Sequence, residues 1–228
     1  MSWMWKRGQG MDVVCYEGNG SLGKQVIHSL SKTPEMIWIK NRGETANWIV
    51  YHKDLNGGTN PERYYLRLNE DHAEIDLPTD YGLASNILFN DTAPTSTVVT
   101  LGSSGNLNKN GFDHIMMLFA SVNDADGNAI SKVSSYTGTG SSGLSVTTGF
   151  QPRFLLIKRR DASNTNWLVF DSVRGFGAGN DSQLALNTNS AAVTNTNFGE
   201  FTSTGFTINE TYSEINNNGG SYIYYAHA

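Results

Sequence analysis

An internal repeat limits the possible folds of this chain more than any other feature, because five blocks of sequence occur twice and in the same order. Tyr16-Glu-Gly18-Asn-Gly20 returns as Tyr136-Thr-Gly138-Thr-Gly140. Pro34-Glu-Met-Ile-Trp-Ile-Lys40-Asn-Arg42 returns as Pro152-Arg-Phe-Leu-Leu-Ile-Lys158-Arg-Arg160, and Trp48-Ile-Val-Tyr51 as Trp167-Leu-Val-Phe170. Leu66-Arg-Leu68-Asn69 returns as Leu184-Ala-Leu186-Asn187. Asn110-Gly111, followed by Ile115 through Ala120, returns as Asn218-Gly219, followed by Ile223 through Ala228. The spacing drifts between blocks, as a duplication followed by loop trimming would leave it. Two copies of one sequence must share one fold, and 228 residues are enough for each to close its own core.

Each block has the character of a strand. Met36-Ile-Trp-Ile and Phe154-Leu-Leu-Ile are short apolar runs, set off by an upstream proline and stopped by a charge. Trp48-Ile-Val-Tyr and Trp167-Leu-Val-Phe are β-branched and aromatic, as a half-buried pleated surface prefers. Ser221-Tyr-Ile-Tyr-Tyr-Ala comes after an Asn-Gly-Gly turn and reads as the returning strand of a hairpin. Residues 24–31 are the best helical stretch, yet their counterpart, 144–149, is β-branched. About eight strand-like runs per copy at this spacing suit sandwiches and barrels. The expectation is all-β: two tandem homologous β-sandwich (jelly-roll-like) units, 11–123 and 129–228. The boundary between them falls in the polar run 123–128. Asp124, Asp126 and Asn128 alternate there as in a calcium loop, but Gly127 is displaced and Ser135 stands where the closing glutamate belongs, so the expected element is a linker turn.

Composition narrows the function. Charged residues are 16% of the chain, against about 25% in ordinary globular domains. Glycine and small polar residues fill their place and suit short turns and sugar-like or protein surfaces. The net charge is −5 with no basic run, so the footprint that nucleic-acid binding requires is missing. Cys15 is the single cysteine, which excludes an internal disulfide; between Val14 and Tyr16 it reads as a small core residue. No apolar stretch is long enough to span a bilayer, and the first residues do not resemble a secretory signal. Membrane insertion is not expected, and lysis is the expected route to the outside of a cell.

Several motifs suggest chemistry that the second copy argues against. Gly18-Asn-Gly20-Ser-Leu-Gly23 matches a dinucleotide fingerprint, but Gly138-Thr-Gly140-Ser-Ser-Gly143 repeats the spacing and runs into strand-favouring Leu-Ser-Val-Thr-Thr. Both read as one hairpin turn used twice, and no cofactor is expected. His28, His52, His72, His114 and His227 show no metal-pair spacing; opposite His52, His114 and His227 stand Asp171, Tyr222 and Phe119. They read as structural, and no metal is expected. No glycine-flanked serine elbow occurs. Glu70, Asp71, Glu74 and Asp76 form the one acidic concentration, which could serve a sugar-cleaving pair but is matched in the second copy by Thr-Asn-Ser-Ala-Ala. A solvated loop is the plainer reading, and no catalytic residue is assigned.

Repeated features mark scaffold, and unrepeated loops are free to specialise. After the tryptophan strand the first copy carries a glycine-rich loop with Arg63 and Tyr64; the second carries one with Arg174, Phe176 and Asn180. A ring that stacks on a sugar's apolar face, beside amides and guanidinium groups that bond its hydroxyls, is what glycan recognition needs. These five residues are the expected binding residues; the alternative is a solvent-exposed or subunit-facing turn. Trp48 and Trp167, present in both copies, are expected in the core.

With these blocks laid out, the chain resembles the C-terminal tandem-repeat region of marine bacteriophage tail fibres and related structural proteins, especially those of cyanophages. The resemblance lies in Asp12-Val-Val-Cys-Tyr-Glu-Gly-Asn-Gly, Pro34-Glu-Met-Ile-Trp-Ile-Lys, Asn90-Asp-Thr-Ala-Pro-Thr-Ser-Thr-Val, Leu118-Phe-Ala-Ser-Val, Thr148-Gly-Phe-Gln-Pro-Arg-Phe-Leu-Leu-Ile-Lys-Arg and Tyr222-Ile-Tyr-Tyr-Ala. It implies a non-enzymatic virion component, assembled in the host cytoplasm and released by lysis. Its implied partners are a host-surface glycan or lipopolysaccharide and other virion proteins, and its implied state is a homotrimer. An architectural module without receptor contact and a polysaccharide depolymerase are the alternatives.

Overall fold

The computed structural model describes residues 10–228 apart from the side chain of Asn195. The chain is all-β. Its helical content is confined to single turns, of which α1 (Leu77–Tyr81) and α2 (Gly105–Asn108) are α-helical. It divides into two compact units, one holding the described residues through Leu68 with Glu74–Ala120, the other Asn69–Ala73 with Ser121–Ala228.

In the first unit, β1 (Met11–Glu17), β3 (Met36–Asn41), β4 (Ile49–His52), β5 (Tyr64–Arg67), β6 (Ile75–Asp76) and β8 (Asp113–Phe119) form one antiparallel sheet in the order β1-β8-β3-β4-β5-β6. A second sheet pairs β2 (Lys24–Ile27) with β7 (Val98–Leu101).

The second unit contains β9 (Val122–Asn123), β10 (Ala129–Thr137), β11 (Leu144–Thr147), β12 (Phe154–Arg159), β13 (Leu168–Asp171), β14 (Asp181–Ala185), β15 (Val193–Thr196), β16 (Gly199–Thr202), β17 (Gly205–Ile208) and β18 (Ser221–His227). Its sheets run β15-β14-β13-β12-β18-β10-β9 and β11-β17-β16. β9 pairs with β10, so Val122 and Asn123 go with the second unit rather than the first.

Five strands have the same order in both units, and their registers match block for block. Ile37 faces Leu118 as Leu155 faces Ala226, Met36 faces His52 as Phe154 faces Asp171, and Val50 faces Leu66 as Val169 faces Leu184. Such identity comes from the period of 2 along a strand, since a one-residue slip would turn every buried side chain to the other face. In the second unit one core draws on both sheets: Val146, Phe206 and Ile208 from the smaller, Leu155, Ile157, Leu168, Phe170 and Tyr224 from the larger. Tyr136 and Tyr222 stack there at 4.8 Å, and Tyr16 and His114 stack at 5.2 Å in the first unit.

The glycine-spaced motif is not the hairpin its sequence suggests. β1 and β2 lie in different sheets, so residues 18–23 form a corner, and residues 138–143 form another between β10 and β11. Each corner wraps a fully buried asparagine. Asn108 Oδ1 accepts the Asn19 N–H at 2.8 Å, and its amide donates to Ser21 O and Gly102 O. Asn216 does the same with the Thr139 N–H, Ser141 O and Glu210 O. A Cβ on Gly18 would collide with the Lys109 carbonyl, and one on Gly138 with that of Asn217, which is why this glycine recurs. Strands come after both corners, so no helix N-terminus faces a phosphate there.

Residues 24–27 are a strand, in keeping with the all-β expectation. Two further expectations change. Ser221 opens no hairpin, because β18 inserts between β10 and β12. Cys15 is exposed, not in the core: the period of 2 places it opposite Tyr16, which turns inward to bond Leu107 O at 2.6 Å. Trp167 is buried at 1% exposure, as expected, whereas Trp48 is half-buried.

Candidate binding site

The expected binding residues lie on two different units and meet different fates. Arg63 ends a single 3-10 turn, half-buried, with its Nε shielded and without a hydrogen-bond partner among the described residues. Tyr64 opens β5, and its hydroxyl donates to Asp76 Oδ2 at 3.4 Å. Partial burial and the Asp76 carboxylate push its phenol pKa up. On the second unit, Arg174 is bound inward: its Nε donates to Asp171 Oδ2 at 2.6 Å, and its backbone N–H to Oδ1 at 2.8 Å. It neutralises a carboxylate that is only 3% exposed, since a buried charge needs a partner. Phe176 is a core residue, with its ring 4.7 Å from both Phe170 and Phe201. Asn180 stands exposed just before β14.

What the second unit does present is a cleft of ≈ 330 Å³ lined by Gln151, Pro152, Arg153, Ser172, Phe176, Gly177, Glu200 and Phe201. Gln151, Arg153, Ser172 and Glu200 are exposed, Phe201 is half-buried, and only an edge of Phe176 reaches the space. Neither the Arg153 guanidinium nor the Glu200 carboxylate has a side-chain partner among the described residues. Both charges are therefore available to a ligand.

The wall carrying Glu200 and Phe201 is held from behind by Asp181, which is fully buried. Its Oδ1 accepts the Gly177 N–H at 2.8 Å and its Oδ2 the Gly199 N–H at 3.0 Å, so one carboxylate ties the loop after β13 to the start of β16. A Cβ on Gly177 would come within 3.1 Å of Glu200 Cβ, and the residue's φ of +102° favours glycine as well.

The sister copy pairs the equivalent positions. Arg153 and Ser172 align with Glu35 and Lys53, and the local backbone is the same: Ser172 N–H donates to Arg153 O as Lys53 N–H donates to Glu35 O. In the first unit those side chains form an ion pair at 2.7 Å. Moreover, the smaller sheet there has two strands where the second unit has three, and the third, β16, supplies Glu200 and Phe201. One signal for the cleft stood in the sequence, the reversal from Glu35 to Arg153 inside an otherwise matching block.

The residues of the acidic loop make separate local bonds. Glu70 engages His72 at 2.7 Å, Glu74 Oε2 accepts the Asn56 N–H, and Asp76 Oδ2 accepts from Thr79 Oγ1. Asp71 contributes its backbone carbonyl, which accepts from Thr165 N–H and from the fully buried Lys158 ammonium. In the linker, Asp124 accepts from the Asp126 and Asn128 N–H groups and the Asn128 amide; these bonds hold its carboxyl below the usual range and use it as a turn scaffold. Among the described residues no group of three or more His, Cys, Asp or Glu side chains could hold a metal ion, and no helix is long and apolar enough to cross a membrane.

Fold and cleft together define a tandem all-β protein whose second copy leaves Arg153 unpaired beside Ser172, where its first copy forms the Lys53–Glu35 ion pair. The chain belongs to the DUF7483 family, a domain of unknown function, whose model matches residues 5–228. That single model spans both copies, so the family is defined on the doubled unit. No curated protein and no solved structure matches the chain.

Proposed function

We propose that this chain is a non-enzymatic surface-binding module of the bacteriophage tail-fibre kind, gripping a host-surface glycan or lipopolysaccharide through the cleft of its second copy. We read the two copies, with Val122 and Asn123 joined to the second, as tandem jelly-roll-like β-sandwiches that serve as scaffold. The virion setting, release by lysis, contact with other virion proteins and a trimeric state come from the sequence resemblance to tail-fibre repeats. Support for binding rather than chemistry comes from the acidic loop, whose four carboxyl-bearing residues serve separate local partners.

One observation carries the proposal: Arg153 stands unpaired beside Ser172 where the other copy forms the Lys53–Glu35 ion pair, and Glu200, also unpaired, lines the same cleft. Both charges are exposed and hydrated, so each stays open at little cost and keeps its bonding capacity for a ligand. Loops and edges on a rigid β scaffold are a common place for such work. Fluorescently labelled protein should stain susceptible host cells and protect them from infection. Staining that ignores host identity would favour the architectural alternative instead.

A further inference from the structure

We infer, resting on the surface-binding reading, that the cleft takes an uncharged terminal sugar ring presenting two neighbouring hydroxyls, one accepting from Arg153 and the other donating to Glu200. At ≈ 330 Å³ the space lies at the small end of ligand pockets, which begin at about 300 Å³, and suits one ring rather than an oligosaccharide. Phe201 supplies a platform: its ring is braced by Phe176 at 4.7 Å and remains half-exposed in the cleft. An apolar sugar face laid on it gains the burial that aromatic surfaces offer.

The two open charges select against charged ligands. Arg153 can only donate hydrogen bonds and an ionised Glu200 can only accept them. A sugar acid would satisfy Arg153 but bring a second carboxylate towards Glu200, and an amino sugar would bring an ammonium towards Arg153. Either leaves one protein charge desolvated beside its like. A sugar hydroxyl both donates and accepts, so two adjacent hydroxyls satisfy both residues without adding charge. The Gln151 amide and Ser172 hydroxyl line the same space and add donors and acceptors for the rest of the ring. Bonds to ionised groups are the strong kind, so each charged residue is worth about tenfold in affinity.

The test titrates the full chain with methyl galactoside, methyl mannoside and methyl glucoside, and separately with glucuronic acid and glucosamine, followed by saturation-transfer NMR. A neutral glycoside should bind best, and R153A should weaken it about tenfold. E200Q should narrow the gap by improving glucuronic acid. The wild type preferring glucuronic acid or glucosamine would overturn the neutral-sugar assignment. Staining of host cells by the same variants separates this from the broader reading. Staining lost in R153A/E200A yet competed only by charged sugars sinks the ligand class alone, whereas staining that survives in R153A/E200A removes the cleft from the surface-binding reading as well. These side chains are exposed, so unchanged denaturation midpoints verify that the variants fold.

Discussion

Replacing Lys158 with methionine tests how the second unit holds a buried cation. Lys158 is fully buried on β12, and its ammonium donates to Thr165 O at 2.5 Å, Thr165 Oγ1 at 2.8 Å and Asp71 O at 3.3 Å. Burial lowers its pKa from 10.5 to about 8, with Asp71 and Glu214 opposing the shift. At pH 7 it is charged and all three protons are bonded. Because the folded pKa lies below the unfolded one, the unfolded chain binds more protons between pH 8 and 10.5, and the Lys158 contribution to stability rises with pH through that window. At about 1.4 kcal/mol per pH unit, the full effect is about 3 kcal/mol, of which about 2 kcal/mol is present by about pH 9.5. Above about pH 9 the trend reverses, because burial raises the phenol pKa values of Tyr16, Tyr51, Tyr64, Tyr136, Tyr222 and Tyr225 and the unfolded chain then loses those protons first. Urea unfolding at a series of pH values from about 7 to about 9 should show the wild type gaining about 1 kcal/mol relative to K158M, which stays flat or falls slightly as the tyrosines begin to ionise. At pH 7 the variant should be about 1–3 kcal/mol less stable, from unpaired Thr165 and Asp71 acceptors partly offset by removal of a buried charge. An equal alkaline gain in K158M would show that the buried ammonium is not its source.

The same geometry yields further expected outcomes. Asn108→Leu and Asn216→Leu should each cost about 3 kcal/mol, because each strips the partners from one backbone N–H and two carbonyls; markedly unequal losses in denaturant titrations would argue against equivalent corners. Asp181→Ala should leave the Gly177 and Gly199 N–H groups unbonded, destabilise the second unit by about 2–4 kcal/mol by calorimetry, and abolish ligand binding at the cleft. Exposed Cys15 should react with a maleimide in native buffer as fast as after unfolding; strong native protection, read by mass spectrometry, would count against its outward placement.

Much of the scaffold was readable from the repeat. The aligned blocks are the strands, and their alignment gives the ladder register, because period 2 ties pairing to the buried face. Strand order was less accessible. Asn218-Gly219 is sound turn chemistry, yet the strand after it slots between β10 and β12, a choice made by contacts distant in sequence. The asparagines at the corners escape a reading of sequence because a polar residue near a turn normally faces water, and only the corner's own backbone groups justify burying them. Phe176 misleads in the opposite way: Gly175 and Gly177, with φ of 91° and 102°, let a loop that looks solvent-facing turn its ring inward. The cleft was half legible. Arg153 stood against Glu35 in a shared block, but β16 has no partner strand in the first unit's two-stranded sheet, so comparing copies could not reveal Glu200 and Phe201.

If an unpaired Arg153 beside Ser172 makes the second copy the one that binds, giving that copy the first copy's ion pair should close it. R153E/S172K does so, placing the Glu35 and Lys53 side chains on a backbone that already matches. Host cells exposed to this labelled variant should stain no more than background, while its unfolding midpoint stays at the wild-type value. Wild-type staining, with the new ion pair seen in a structure of the variant, would mean that the host surface is gripped elsewhere.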